Sequence, residues 1–394
     1  MTRQVSRVPE ISVRSGRVAA LTALTLAAFA YVTTESLPVG LLPLIAEDLG
    51  TTPSTVGLLV TAYGFTVVLA AFPLTAITRR VPRRYLLGGL LTVFVLGSVV
   101  SALAGDYATL LAARIGTALS HAVFWSVVAA TAVGLFDPGV KGKVTGFLYG
   151  GISLAPVIGV PAGTWLGQQA GWRAAFLALS ALGLITLLGI VALVPTTPPE
   201  QSHASTAAHP DARRYWVLIV ATGLVITAAF AAYTYISVFV VQVAGFAAGS
   251  VGALLLVFGI AGIGGTAATG FLVDRRPRLA MVAPVGLLAA TLLALYAYGS
   301  GKVTAVVLLA LWGFAMTCLP TALQTRVLEV APGNADVGSS IYVATFNLGI
   351  AAGAYAGGVA LRVAGARSVM LTGAVLAAAA LGVLLLEPVI ARRR

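Results

Sequence analysis

Long apolar runs, rather than strict alternation or a narrow amphipathic stripe, dominate this chain. Twelve are readable, at about 18–45, 54–77, 85–104, 107–134, 141–167, 172–195, 214–243, 249–272, 279–299, 302–327, 336–363 and 367–391. A helix rising about 1.5 Å per residue crosses a hydrocarbon core of about 30 Å in roughly 20 residues, so the pattern predicts an all-α membrane protein with twelve transmembrane helices. The longest hydrophilic interruption runs from Pro195 to Arg214 and contains Thr-Thr-Pro-Pro-Glu and Ser-His-Ala-Ser-Thr. It divides the runs six and six, predicting a six-helix bundle over 1–195, a flexible linker over 196–213 and a second bundle over 214–394. Arg80-Val-Pro-Arg83 follows the second run and Arg275-Arg-Pro-Arg278 the eighth. A matching tetrapeptide at matching positions, nearly half the chain apart, indicates a parallel repeat with a binding site between the bundles near the midplane.

Composition agrees. The 394 residues are 59% hydrophobic and 9% charged, with mean hydropathy +0.99, more apolar surface than a soluble domain of this size needs. The net charge of +12 would suit nucleic acid if it were clustered on one face, but the bases sit in the breaks between runs. With both termini inside, all 24 lysines and arginines except Arg173, Lys302, Arg362, Arg367 and the mid-run Arg114 fall on the cytoplasmic side, as the positive-inside rule asks. The expectation is a multi-pass membrane protein, both termini cytoplasmic, with no nucleic-acid partner. Met1–Arg17 reads as a polar tail, since the run after it is too long for a signal-peptide core. Cys318 is the only cysteine, excluding an internal disulfide and a cysteine-rich metal site. His203 and His209 in the linker lack a neighbouring acid or thiol cluster that would complete a metal site.

Charges inside the apolar runs carry the chemistry. Glu35, in Ala30-Tyr-Val-Thr-Thr-Glu-Ser-Leu-Pro-Val-Gly-Leu-Leu-Pro43, lies about 15 Å from the Ile45 end of its run. An acid there costs several kcal/mol unless it finds a partner or a wet cavity. Pro38 and Pro43 loosen the helix beside it. Arg114 lies at a similar depth in the fourth run, so the sequence predicts an ion pair between them; a purely structural salt bridge is the competing reading. His121, two turns beyond Arg114 on the same face, is the only histidine within a run and has a side chain suited to proton exchange near neutrality. A neutral packing histidine is its alternative. Glu35, Arg114 and His121 are therefore the candidate proton-coupling group. Asn347 is a candidate ligand for a neutral polar solute or an interhelical hydrogen bond. His121, Tyr63, Phe124, Trp125, Tyr233, Tyr235, Trp312 and Phe346 stand near the same level as candidate substrate contacts. The sequence contains no nucleophile–base–acid set, phosphate loop or metal cluster, so an enzyme is not expected.

Further motifs resemble the major facilitator superfamily over essentially the whole chain, and within it the proton-coupled efflux group. Leu111-Ala-Ala-Arg-Ile-Gly116 resembles the family's buried-arginine motif, which implies a part for Arg114 in proton coupling. Gly151-Ile-Ser-Leu-Ala-Pro-Val-Ile-Gly159, continuing to Gly163, resembles the antiporter motif; its glycines permit close helix approach and Pro156 bends the helix. Gly171-Trp-Arg-Ala-Ala-Phe176 is similar to the entry of the sixth span. Gly270-Phe-Leu-Val-Asp-Arg-Arg-Pro-Arg278 resembles the loop motif that latches neighbouring helices, implying a conformational role for Asp274 and Arg275. The first-half copy departs from it, with Arg79 where an acid is expected.

More narrowly, Thr-Thr-Glu-Ser-Leu-Pro-Val-Gly-Leu-Leu (33–42) and Ser-His-Ala-Val-Phe-Trp-Ser (120–126) resemble bacterial sugar efflux transporters, exporters of arabinose and thiogalactosides. They also resemble chloramphenicol-resistance exporters. The resemblance implies two six-helix bundles alternating access to a central site, a proton gradient in place of a cofactor, and export of small neutral polar solutes by a monomer. Multidrug or chloramphenicol efflux, hence antibiotic resistance, is the alternative; a non-transporting membrane receptor or structural protein is the alternative of another class.

Overall fold

The computed structural model describes residues 10–196, 210–273, 275–332 and 335–392. Among them there is no strand, and 12 helices are long and apolar enough to cross a membrane. In chain order they are α1 (Gly16–Asp48), α2 (Pro53–Thr78), α3 (Arg83–Leu103), α4 (Tyr107–Gly134), α5 (Lys141–Ala170), α6 (Trp172–Leu193), α7 (Ala212–Tyr233), α8 (Ala248–Leu272), α9 (Pro277–Tyr298), α10 (Lys302–Val330), α11 (Val337–Ala364) and α12 (Ser368–Pro388). The predicted runs match these helices except at the seventh. That run was expected to reach residue 243, but α7 stops at Tyr233, and a short helix, Ile236–Gln242, follows a break at Thr234 and Tyr235. An unbroken apolar composition conceals such a break, because periodicity does not mark it. Most of the linker (197–209), with His203 and His209, and the loop residue Asp274 lie outside the described residues.

Helix starts follow capping chemistry. Asp106 accepts the Thr109 backbone N–H at 2.9 Å to open α4, Asp211 accepts that of Arg214 at 3.0 Å to open α7, and Thr52 with Pro53 opens α2. Gly171 takes φ +84 between α5 and α6, a left-handed geometry that a side chain would strain. Beside it Arg173 bonds Asp48 at 2.6 Å and the Ala104 carbonyl at 2.8 Å, tying α6 to the ends of α1 and α3.

The helix ends near Arg79, Arg80, Arg83 and Arg84 form one end of the molecule, called here the basic end; the other is the far end. Each half packs closely on itself, α3 against α6 and α4, α8 against α10, and α7 against α11 and α12. Two seams join the halves, α2 with α11 and α5 with α8. At the first, a methyl added to Gly64 would meet the Asn347 carbonyl at 3.1 Å. At the second, methyls on Gly252 and Gly259 would meet the Pro161 carbonyl at 3.2 Å and the Val157 backbone at 2.6 Å. Polar contacts cross between halves at the far end. Gln168 Nε2 donates to the Ala248 carbonyl at 2.6 Å. Ser237 Oγ donates to the Val39 carbonyl at 2.6 Å. That carbonyl is available because Pro43, four residues on, has no N–H to offer it.

α5 lies between α1 and α8. Four of its glycines face α1: methyls on Gly151, Gly159 and Gly167 would run into Thr25 Cγ2, the Thr33 hydroxyl and Leu41, and one on Gly163 would meet Leu37 at 2.6 Å. Its opposite face, around Pro156, Val157 and Pro161, meets α8. Pro156 was expected to bend the helix; the structure places it in a π-helical segment, Ala155–Gly159. Widening the turn is one way a helix absorbs a proline that cannot donate.

Candidate functional site

The polar residues of the first bundle converge where α1, α2 and α4 meet. Arg114 is 1% exposed. Its Nη1 donates to Thr34 Oγ1 at 2.9 Å and its Nη2 to the Glu35 backbone carbonyl at 3.4 Å. The guanidinium carbon stands 4.5 Å from the centroid of the Tyr63 ring and 6.0 Å from that of Phe176, where a ring face attracts a cation.

The expected Glu35–Arg114 ion pair is therefore corrected. The two residues are neighbours at like depth, but the arginine takes the main chain of Glu35 and the hydroxyl of Thr34, and the ion pairs found among the described residues are elsewhere. Glu35 Oε1 is buried with no hydrogen-bond partner among the described residues, and so are Arg114 Nε and Thr33 Oγ1. The physical reason is rotational. Depth along two helices fixes how far apart residues sit, not which way each side chain turns about its own axis. Unpaired buried polar atoms of this kind are costly, and those of Glu35 and Arg114, beside the bonds that hold the arginine to α1, leave room for a second hydrogen-bonding arrangement.

His121 extends the cluster. Its Nδ1 lies 2.6 Å from Tyr63 Oη, and its Nε2 takes the indole N–H of Trp125. Tyr31 packs on His121 and Phe124 at centroid distances of 5.3 Å and 4.4 Å and donates to Ser120 Oγ at 3.1 Å and to the Leu90 carbonyl at 3.0 Å. Sequence reasoning missed Thr34 and Tyr31 as members of this site. Thr34 directly precedes Glu35, which was a usable signal; Tyr31 carried none beyond being aromatic.

The other candidates are dispersed. Tyr233 and Trp312 pack together with Phe258 inside the second bundle, and the Trp312 indole nitrogen has no partner among the described residues. Tyr235 lies at the far-end seam, wedged beside Gly57 and Gly358, and donates to the Ala354 carbonyl at 2.9 Å. Asn347 bonds back to the Val343 carbonyl of its own helix at 3.0 Å, and Phe346 packs on Tyr342. Of the candidate contacts, Trp125, Phe346 and Asn347 are partly exposed, whereas Tyr63, Phe124, His121, Tyr233, Tyr235 and Trp312 are closed over. Arg275 is exposed, stacks on Phe271 at 4.0 Å and donates to its carbonyl at 3.1 Å. No group of acids, histidines and cysteines able to hold a metal occurs among the described residues.

Comparison with known proteins gives this arrangement its context. The family model of the Major Facilitator Superfamily matches residues 24–354. A protein of Mannheimia succiniciproducens described as a probable sugar efflux transporter is 36% identical over 356 residues, 89% of each chain. Among solved structures, a peptide transporter POT in complex with alafosfalin superposes with TM-score 0.74 at 15% identity, covering 94% of this chain and 95% of that one. A bacterial homologue of the human lysosomal transporter Spinster, inward-facing and unoccupied, superposes with TM-score 0.69 at 15% identity over 95% of both chains. At these identities the structures speak for the fold alone; the matched family model and the relative speak for membership. The chain belongs to the major facilitator superfamily and is a membrane transporter.

Proposed function

We propose that this transporter exports small neutral polar solutes, sugars such as arabinose or thiogalactosides first among them, in exchange for protons by alternating access. The observation that carries the reading is the partly buried Glu35 carboxyl, one oxygen of which is buried without a partner among the described residues, beside an arginine bonded to the same stretch of backbone. An ionised carboxylate so deep, with an oxygen lacking a donor, is disfavoured by several kcal/mol; a protonated carboxyl is not. Arg114, already bonded to the main chain of Glu35, would take the carboxylate once the proton leaves, at the expense of its bonds to Thr34 and the Glu35 carbonyl. Protonation then selects between two arrangements of α1 against α4, which is what coupling requires.

The direction of the open side follows from charge. With the basic end in the cytoplasm, the bonds from Ser237 and Gln168 close the outer side, and this conformation receives its substrate from within. Both termini are then cytoplasmic and the membrane is the bacterial inner membrane. Partly exposed Trp125, Phe346 and Asn347 are the candidate substrate contacts here; Arg275 with Asp274 is the candidate latch. The sugar assignment draws on the relative's description and on the 33–42 and 120–126 stretches.

Accumulation of labelled arabinose and labelled chloramphenicol, in cells with and without the protein and with and without a protonophore, tests it. The expected result is lower arabinose accumulation, restored by the protonophore. A chloramphenicol effect alone reassigns the substrate to drugs. Active export by a correctly inserted Glu35→Gln variant would sink the coupling mechanism.

A further inference from the structure

His121 is bonded at both ring nitrogens, and the partners fix where its proton lies. An indole N–H only donates, so Nε2, which faces Trp125, must carry a lone pair. The neutral ring then has its proton on Nδ1 and gives it to Tyr63 Oη at 2.6 Å. A second proton would set Nε2–H against the indole N–H, donor against donor. The groups around the ring offer it no anion. Tyr31 and Tyr63 pack on it at 5.3 Å and 5.4 Å, Arg114 lies just behind Tyr63, and among the described residues no carboxylate bonds or pairs with the ring.

The same bond decides what Trp125 presents. Its single polar atom is turned inward to His121, and its ring packs edge-on to Phe124 at 5.8 Å, yet the side chain remains partly exposed. It sits one helical turn from His121 toward the basic end. An indole whose donor is spent offers its surroundings only a flat apolar face, which recognises by stacking and leaves a ligand's hydroxyls to other groups.

We propose that His121 is a positioning residue rather than a proton carrier: neutral, with its proton on Nδ1, it fixes Trp125 as a stacking platform for the C–H face of a sugar ring. This rests on the sugar-export reading for the identity of the ligand, though not for the state of the histidine. It removes His121 from the proton-coupling group and leaves Glu35 and Arg114 there. It also ties the platform to the coupling site, because Tyr63 is held by His121 through its hydroxyl and lies under Arg114 with its ring.

Nitrogen-15 spectra of histidine-labelled protein in lipid bilayers test the first part, with His203 and His209 replaced by glutamine so that His121 alone reports. The expected signature is the Nδ1–H tautomer, unchanged between about pH 5.5 and 8, the range in which an ordinary histidine titrates. The Nε2–H form, or protonation within that range, overturns the proposal. Labelled arabinose export tests the second part. His121→Gln, whose amide can both accept from Trp125 and donate to Tyr63, is expected to retain KM within about threefold and the same pH profile, while Trp125→Phe, which keeps a smaller ring, is expected to raise KM less than Trp125→Ala does. His121→Ala and Trp125→Ala are expected to raise KM roughly tenfold, the scale of a lost aromatic contact, with protonophore-sensitive export intact. Loss of that sensitivity in His121→Gln, or no change in KM for Trp125→Ala, overturns it. If the parent protein exports no sugar, the export reading falls while the spectrum still decides the tautomer, so the two failures are told apart.

Discussion

Lysine at position 114 would keep the charge and lose most of what holds it. The guanidinium reaches Thr34 and the Glu35 carbonyl with separate nitrogens while its carbon stands 4.5 Å from the centre of the Tyr63 ring; an ammonium has no planar face and no fork. Arg114→Lys is therefore expected to insert normally and to lose at least about tenfold in transport, read in proteoliposomes with an imposed pH gradient, because a buried charge-assisted bond is worth roughly 1.5–3 kcal/mol. Both charged residues were visible in the sequence, since a charge inside an apolar run is conspicuous whatever the fold. Their mode of contact was not. An ion pair is the simplest guess from depth, but hydroxyl and main-chain acceptors compete for an arginine, and helix rotation decides among them. Asn347 shows the same limit: its amide, free to bond a ligand or another helix, turns back to Val343.

At the scale of a single element, α5 gives the clearest test of packing. The gap between Gly151 and Thr25 Cγ2 is too small for a methyl, so Gly151→Ala is expected to lower the melting temperature in detergent by the equivalent of about 1–3 kcal/mol of overpacking. Thr25→Ser deletes the opposing methyl and keeps the hydroxyl that bonds Leu21, so the double variant is expected to recover most of the loss. A double variant no better than Gly151→Ala would show that the contact is not the cause. α4 gives a pH test. The Thr109 backbone N–H and hydroxyl hold the Asp106 carboxyl below its usual range. A carboxyl depressed in the fold contributes stability present above its unfolded value and lost as pH falls. Asp106→Asn keeps an N-cap but should flatten the acid limb of the stability profile, measured by thermal melting across pH. The glycine spacing of α5 was legible as close approach; the π segment around Pro156 and the break after Tyr233 were not, because a proline or an apolar stretch tolerates several backbone solutions and the neighbours choose.

At the scale of the whole molecule, closure at the far end leans on a carbonyl exposed by a proline. Ser237→Ala removes the bond to Val39, worth about 0.5–1.5 kcal/mol net, and should shift the balance toward the oppositely opened form by up to roughly tenfold. Distances between spin labels placed on the far ends of the two bundles would report it; an unchanged distribution would remove Ser237 from the gate. The twelve spans and the family were readable, because bilayer thickness imposes length and composition on every span. How the halves meet was not readable, since both seams are built from glycines, prolines and backbone carbonyls, which carry no distinctive side-chain signal.

α5 joins two neighbours. Gly151, Gly159, Gly163 and Gly167 belong to α1 and its prolines to the other bundle, and Thr33, which Gly159 touches, stands two residues before Glu35. If transport proceeds as proposed, with one bundle tilting against the other, α8 would drag across Pro156 and Val157, and the displacement would pass through the thickness of a single helix to the turn that carries the acid. The bundle seam and the acid would then be the two ends of one short lever, and a substitution on either face of α5 is expected to change the pH at which transport works and the ease of rocking together.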